Sequence, residues 1–367
     1  MNMTKSAAFF HDKPLFGLEI GHGSMKVMQV GANLSPASAK SAPAARRLIG
    51  YGATTFDTAS QKDGVIVQPE IVAKAALELF RNRLVGDITT RRVAIAIPAY
   101  RTFTRSLRLP KLKPKELSEA VQLEAEQYIP LPLEELYLDY DVIGQIGDSM
   151  ELFAVATPRN IVDSYLDLAQ ILGLETVLIE PTLSSLGRLF SLDSQHDIPA
   201  IIINLGSVSS DISIFDGRIL ITGTVQGGGE DFTRSIKEKL DVSLQEAALI
   251  KTRYGLGVSK KQVAIKEALE PILQEIVKEI RRMVRYYSER YGLKRPIEQV
   301  VTLGGGANMP GLDEYLTETL HLAVRHSEPW QYLDFKGLQP PGVSDRPMYS
   351  TAAGLSLARP HEVFGND

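Results

Sequence analysis

Apolar residues follow two rhythms along this chain. Short continuous runs closed by glycine or proline predict strands: Phe16–Ile20 before Gly21, Val93–Ile97 before Pro98, Ala200–Leu205 before Gly206, and Val300–Leu303 before Gly304. Spacings of three and four predict helices. One runs over 69–84, with Ile71, Ala75 and Leu79 and the neighbouring Val72, Ala76 and Phe80 giving one apolar face. Another runs from Pro114 through Leu117, Val121, Ala125 and Tyr128, and a third from Pro158 through Ile161, Tyr165, Leu168 and Leu172. The longest spans about 260–291, from Ile265 to Tyr287. Pro69, Pro114 and Pro158 suit helix starts, where the missing N–H is not needed. Ile129-Pro-Leu-Pro132 stops the second helix, because proline cannot donate to the ladder.

The remaining punctuation fills in the order. Val27–Val30 and Leu48–Thr54 read as strands after the Gly21 turn. Leu138–Ile143 and Leu152–Thr157 flank a turn at Gly147, so the stretch from Thr102 to Gly173 reads as strand, helix, two strands and helix: a small α+β unit. Asp211–Phe215 and Ile219–Val225 form a hairpin about Asp216-Gly217. Gly227-Gly-Gly229 precedes a helix carrying Phe232, Ile236 and Leu240, and Leu244–Tyr254 is the next. Helices also begin at Pro310 and Met348. Residues 1–14 read as a tail, and Asn33–Ala45, rich in Ser, Ala and Pro, as a surface loop.

Composition narrows the chemistry. Across 367 residues there is no cysteine, which excludes disulfides, thiolate zinc, iron–sulfur clusters and a cysteine nucleophile. The six histidines are scattered, with no HxxxH or HExxH spacing. The net charge of -4 argues against nucleic acid as the main partner. No stretch approaches the ~18 apolar residues of a membrane span, and Met1–Pro14 lacks the long apolar run of a secretory signal. A cytoplasmic protein of two or three domains is expected.

Two segments repeat one design. A strand, Gly21-His-Gly-Ser24 and a second strand occur early; a strand, Gly206-Ser-Val-Ser209 and a second strand occur later. Glycine at the tip lets backbone N–H groups turn inward. Consecutive inward N–H groups plus a serine hydroxyl make an anion cradle. Glu19 and Asn204 stand two residues before the first glycine of each. Gly304-Gly-Gly-Ala-Asn-Met-Pro-Gly311 follows a buried strand and precedes a helix, where a flat ligand can lie on the backbone.

The ordered set Gly17-Leu-Glu-Ile-Gly-x-x-x-x-Lys26, Asn204-Leu-Gly-Ser-Val-Ser-Ser-Asp211, Gly228-Gly-Glu-Asp-Phe-Thr233, Glu246-Ala-Ala-x-x-Lys251 and Gly304-Gly-Gly-Ala-x-x-Pro-Gly311 resembles the actin-like ATPase superfamily. The branch is that of the division protein FtsA and the type IV pilus assembly protein PilM. Leu107-Arg-Leu-Pro110, Lys115-Glu-Leu, Glu124-Ala-Glu-Gln-Tyr-Ile-Pro130, Leu131-Pro132 and Asp139-Tyr140 resemble the PilM side closely. The resemblance covers about 15–358. It implies an α/β, two-lobe actin-like ATPase fold with an inserted FtsA/PilM-type 1C subdomain. The expected division is a first lobe (1A) at 15–100, the 1C insertion at 101–176 and a second lobe at 177–345, its 2B part at about 228–299. A C-terminal helix at 346–360 would return to the first lobe.

The resemblance implies ATP and Mg²⁺ as ligands. Gly21, Gly23, Ser24 and Lys26 match the first phosphate loop, and Gly206, Ser207 and Ser209 the second. Gly228 and Gly229 match the mouth of the cleft, Lys251 the lysine beside the nucleoside, and Gly304, Gly305, Gly306 and Ala307 the adenosine loop. Glu19 and Asn204 would stand near the metal, indirectly. No catalytic residue is assigned. It further implies a scaffold on the inner face of the cytoplasmic membrane, holding the N-terminal tail of a PilN-like membrane protein between 1A and 1C. A connection to the pilus motor ATPases is implied too, with membrane contact only through the partner.

Three positions depart from the superfamily pattern. Glu19 replaces an aspartate and keeps its charge. Asn204 replaces a magnesium-associated aspartate and loses the charge that favours a hard cation. Ala248 replaces a glutamate that meets the ribose, removing hydrogen bonds worth roughly 1–3 kcal/mol. Phosphoryl transfer rests on positioning and charge stabilisation, so hydrolysis is expected to be slow or absent. The alternatives are an FtsA-like filament former, disfavoured because Arg359–Asp367 is too short and acidic for an amphipathic membrane helix, and a small-molecule kinase, disfavoured by Asn204. Lys278, Arg281, Arg282 and Arg285 read as a solvated helix face, Glu124 and Glu126 as helix surface, and His22 as a loop residue. One of Tyr286 and Tyr287 is expected in the core, and Trp330 has no readable role.

Overall fold

The computed structural model describes residues 13–31, 46–193, 195–292, 294–327, 330 and 333–358. Most of the N-terminal tail, the Asn33–Ala45 loop and the end of the chain from Arg359 lie outside them.

Two sheets are built on one plan. In the first, Arg46–Thr55, Ser24–Val30 and Phe16–Ile20 run antiparallel in succession, and Arg92–Ile97 and Glu175–Pro181 follow in parallel. In the second, Ile219–Gln226, Ser209–Phe215 and Ala200–Leu205 run antiparallel, and Gln299–Leu303 and Ala323–His326 follow in parallel. The short strands Leu84–Gly86 and Leu333–Asp334 extend the first sheet at Arg46–Thr55. Arg92–Ile97, Ala200–Leu205 and Gln299–Leu303 are buried along their whole length, which explains their unbroken apolar runs.

Helices cover these sheets. Gln262–Tyr291 buries Ile265, Leu269, Ile276, Ile280, Met283 and Tyr287 against the second sheet, and Pro271 lies inside it. Tyr287 is in the core and Tyr286 is exposed. Thr182–Phe190 and Ser350–Ser356 cross between the lobes. A Cβ on Gly354 would collide with the Ser185 carbonyl, and one on Gly17 with that of Ala352, so glycine sets how closely these backbones approach. Arg188 makes a bidentate bond to Glu180 at 2.7 and 2.8 Å and a third bond to the Gly354 carbonyl, pinning the crossing. The final helix, reached through a 3₁₀ segment Val343–Tyr349, lies against the first sheet with Met28, Leu48 and Tyr51. Trp330 joins this cluster, stacks on Phe335 and donates to the Arg346 carbonyl.

A third sheet, ordered Phe103–Pro110, Ser149–Pro158, Leu136–Ile146, is antiparallel throughout. Helix Pro114–Tyr128 covers it with Leu117, Val121 and Ala125. The helix Arg159–Ile171, which the sequence groups with this unit, packs elsewhere. Its Ile161, Tyr165 and Leu168 share one core with Leu18, Ile20, Val72 and Leu79 of the first lobe. Periodicity shows that a helix has an apolar face but not which sheet receives it.

Candidate functional site

The two glycine hairpins meet across a cavity of about 1100 Å³ between the lobes. Their turns close alike: the Gly21 N–H donates to the Ser24 carbonyl at 2.8 Å, and the Gly206 N–H to the Ser209 carbonyl at 3.0 Å. Behind the second turn, the Gly229 and Glu230 N–H groups donate to the Gly206 and Ser207 carbonyls, both at 2.9 Å, and Gly227 donates to Val208. The first turn of helix Gly229–Leu240 thus holds the loop by its carbonyls. The Ser207 and Val208 N–H groups have no partner among the described residues, as an anion cradle requires.

Most of the sequence-predicted residues line this cavity: Glu19, Gly21, Ser24, Lys26, Asn204, Gly206, Ser207, Ser209, Gly229, Lys251, Gly304, Gly305 and Gly306. Three do not reach it. Gly23 is buried at φ +85° against Thr58, and Gly228 packs under the second loop, its missing Cβ 2.6 Å from the Ser207 carbonyl carbon. Ala307 is buried in the core of the second lobe. Gly304 has φ +82°, and a Cβ there would stand 2.5 Å from Asn204 Oδ1. Only glycine lets this loop abut the strand that carries Asn204.

Charge is divided between the lobes. Lys26 Nζ lies 3.6 Å from Glu19 Oε1. Burial raises the pKa of Glu19, partly offset by Lys26, and its Oε2 is buried without a hydrogen-bond partner. On the facing hairpin Asp211 is fully buried, and burial pushes its pKa up to about 6 against the hydroxyls of Thr224 and Ser209. Thr224 Oγ1 donates to Asp211 Oδ1 at 2.9 Å. Lys251 donates to the Gly229 carbonyl at 2.6 Å, and desolvation lowers its pKa. Across the mouth His22 Nε2 stands 3.9 Å from Glu230 Oε2, so His22 faces the other lobe.

Asp211 has a place in the site that sequence reasoning quoted but did not assign. It is the cross-strand partner of Asn204 and lines the cavity. The signal was present: an aspartate in a predicted strand, seven residues beyond Asn204 as Lys26 is beyond Glu19. The far wall also includes Asn308 and Met309 of the glycine-rich motif, together with Met348 and with Ser344, which no pattern singled out. Among the described residues no three His, Asp or Glu side chains converge as a metal cluster.

Comparisons with known proteins place the chain. A family model described as "Type IV pilus assembly protein PilM" matches residues 31–360. Among solved structures, the PilM-PilN type IV pilus biogenesis complex matches with a TM-score of 0.78 at 24% identity, covering 94% of this chain and 98% of that one. MreB 5 of Spiroplasma citri bound to AMPPNP matches with a TM-score of 0.50 at 13% identity, covering 93% and 94%. Cell division protein FtsA of Bacillus subtilis is 24% identical over 269 residues, 64% of this chain and 58% of that one. FtsA of Neisseria meningitidis is 25% identical over 205 residues, 49% and 47%. The chain spans about half the length of these curated relatives. The likeness to the solved structures is one of fold: an actin-like two-lobe α/β architecture.

Proposed function

The chain belongs to the type IV pilus assembly protein PilM family, and from that premise we propose that it is a nucleotide-binding scaffold of the pilus assembly machine. The observation that carries the nucleotide reading is the pair of equivalent hairpins that face one interlobe cavity, the second with Ser207 and Val208 N–H groups that have no partner among the described residues. In this reading the Ser24 and Ser207 loops hold the phosphates and Lys26 meets their charge. Lys251 lies beside the sugar, and Gly304–Gly306 support the base. Mg²⁺ fits the donor set: Glu19 has an orphaned buried carboxylate oxygen, and Asp211 adds a second hard donor beside Asn204. With no three-ligand protein cluster among the described residues, the cation would be held jointly with phosphate oxygens and water. Its chemistry is to neutralise phosphate charge.

ATP then acts as a structural ligand, with hydrolysis slow or absent. It sets the lobe angle only through unequal affinity for open and closed states. The partner is the N-terminal tail of a PilN-like membrane protein, docked as an extended peptide where the third sheet meets the first lobe. Tyr137 donates to Asp163 at that boundary at 2.9 Å, and Arg159 lies 4.3 Å over the Tyr137 ring. No described helix is long and apolar enough to cross a membrane, and the location proposed is the cytoplasmic face of the membrane, reached through the partner.

The test is a thermal melt with ATP and Mg²⁺, run beside a phosphate-release assay. A raised melting temperature with background release is expected. No shift at millimolar ATP would remove the nucleotide reading.

A further inference from the structure

The third sheet is inserted covalently in the first lobe, yet it presents a buried carboxylate to the second. Glu151 sits on strand Ser149–Pro158 with its side chain 3% exposed. Its Oε2 lies 3.7 Å from Arg218 Nη2, at the turn after Ser209–Phe215. Its Oε1 lies 3.6 Å from Arg290 Nε, near the end of the long helix Gln262–Tyr291. Both arginines belong to the second lobe. A bulge between Glu151 and Leu152 disturbs the pairing with Leu136–Ile146, and such a bulge re-aims a side chain. Opposite Glu151 stands Gly144, where a Cβ would come within 3.2 Å of Arg218 Nη2. Glycine leaves the seat that Arg218 occupies.

The contact continues along the edge of the sheet. Ser106 Oγ donates to the Leu220 carbonyl, and the hydroxyls of Thr104 and Thr222 meet. Thr222 and Leu220 lie on strand Ile219–Gln226, whose Thr224 bonds Asp211 in the central cavity. The same strand therefore touches the inserted unit at one end and the cavity carboxylate at the other.

We propose that Glu151, held by Arg218 and Arg290, is a clasp that joins the inserted unit to the second lobe. The lobes are then bridged twice, once by the crossing helices and once by this buried contact. The second lobe cannot rotate about the crossing without carrying the inserted unit or breaking the clasp. Parting exchanges the two ion pairs and the Ser106 and Thr104 contacts for hydration, so the closed arrangement is favoured by the excess of these contacts over the hydration regained. This inference does not depend on a nucleotide, since its test uses the ligand-free chain.

The absence of native cysteine makes introduced pairs unique labels. Lys74 (first lobe), Glu119 (inserted unit) and Glu318 (second lobe) are exposed positions for them. Spin-label distances are measured for Lys74→Cys with Glu318→Cys and for Glu119→Cys with Glu318→Cys, with the clasp intact and with Glu151→Gln. With the clasp intact, both distributions are expected to be narrow. Glu151→Gln broadens both and shifts them to longer distances. Gly144→Val, which keeps every charge but fills the seat of Arg218, and Arg218→Ala, at an exposed arginine, do the same and serve where Glu151→Gln fails to fold. Unchanged distributions in the variants that fold would overturn the proposal.

Discussion

Lys26 and Asp211 occupy equivalent positions in the two halves of the molecule. Lys26 pairs across its hairpin with Glu19, and Asp211 pairs across its own with Asn204. The duplicated hairpin thus carries a cation on one side of the cavity and a carboxylate on the other. The acid–base order is also exchanged, since Glu19 precedes its turn and Asp211 follows its own. One lobe can meet phosphate charge directly, and the other can meet it through a divalent cation.

Lys26→Met tests the first half of that arrangement. Lys26 offsets part of the penalty that burial imposes on Glu19. Removing it leaves Glu19 to ionise alone, which is expected to lower stability at neutral pH by about 2 kcal/mol, below the 3–5 kcal/mol of a fully buried pair. Native Glu19 holds its proton to higher pH than the unfolded chain does. The loss is therefore largest above its raised folded pKa and shrinks as pH falls toward 4.5. Melting curves across that range check the sign. The ATP-induced rise in melting temperature is expected to vanish at every pH.

Asp211→Asn separates stability from function in the other hairpin. With a pKa pushed from 3.8 up to about 6, Asp211 binds its proton more tightly in the native state. Stability then falls as pH rises from 3.8 to about 6, and above that the penalty is fully present. It amounts to at most about 3 kcal/mol at 1.36 kcal/mol per pKa unit. The variant is expected to be more stable than the parent at pH 7.5, with the difference gone below pH 4. It should also lose the Mg²⁺-dependent part of the ATP shift. A variant no more stable at pH 7.5 would mean that Asp211 is not a buried charge.

Much of this fold can be read from the chain because its central strands are buried on both faces and show as unbroken apolar runs. Glu175–Pro181 and the helix Thr182–Phe190 escaped that reading for a physical reason. The strand is only half-buried over much of its length and is bulged between Thr176 and Leu178. The helix has nine residues, too few for its stripe of Leu183, Leu186 and Phe190 to repeat, and Ser185 and Gly187 within it serve close approach. The site was legible where glycine marks a turn. Asp211 was visible as a residue type, but its pairing with Asn204 and its burial are products of sheet register, which no local pattern states.

Gly305→Ala and Gly304→Ala distinguish a ligand surface from a structural joint. A Cβ on Gly305 would meet nothing nearer than Met348 Cβ at 4.0 Å, and the residue is exposed at the cavity. Its stability without ligand should match the parent to within about 0.5 kcal/mol, as for surface substitutions, while the ATP shift declines. Gly304→Ala places a Cβ in the left-handed region and against Asn204. The backbone alone costs roughly 1–2 kcal/mol, so this variant should melt earlier even without ATP. Equal melting of the two variants would contradict the assignment.

The proposed peptide contact is tested at Tyr137, which is 41% exposed and bridges the third sheet to Asp163 on the first-lobe helix. Its ring lies under Arg159, so it offers an aromatic face with a polar end, the combination that anchors interfaces. Tyr137→Ala is expected to weaken binding of a synthetic PilN-like tail about 30-fold, near the 2 kcal/mol of an interface hot spot. Tyr137→Phe keeps the ring and loses only the bond to Asp163, a difference of about 1 kcal/mol for a neutral partner and somewhat more for a carboxylate. It should therefore lie between the parent and the alanine variant. Both substitutions also lose that bond within the chain, so each is expected to lower stability modestly, by about 1 kcal/mol at this partly exposed site. Isothermal titration beside a thermal melt reads both quantities. If Tyr137→Ala binds the tail as well as the parent, the tail does not dock at this boundary.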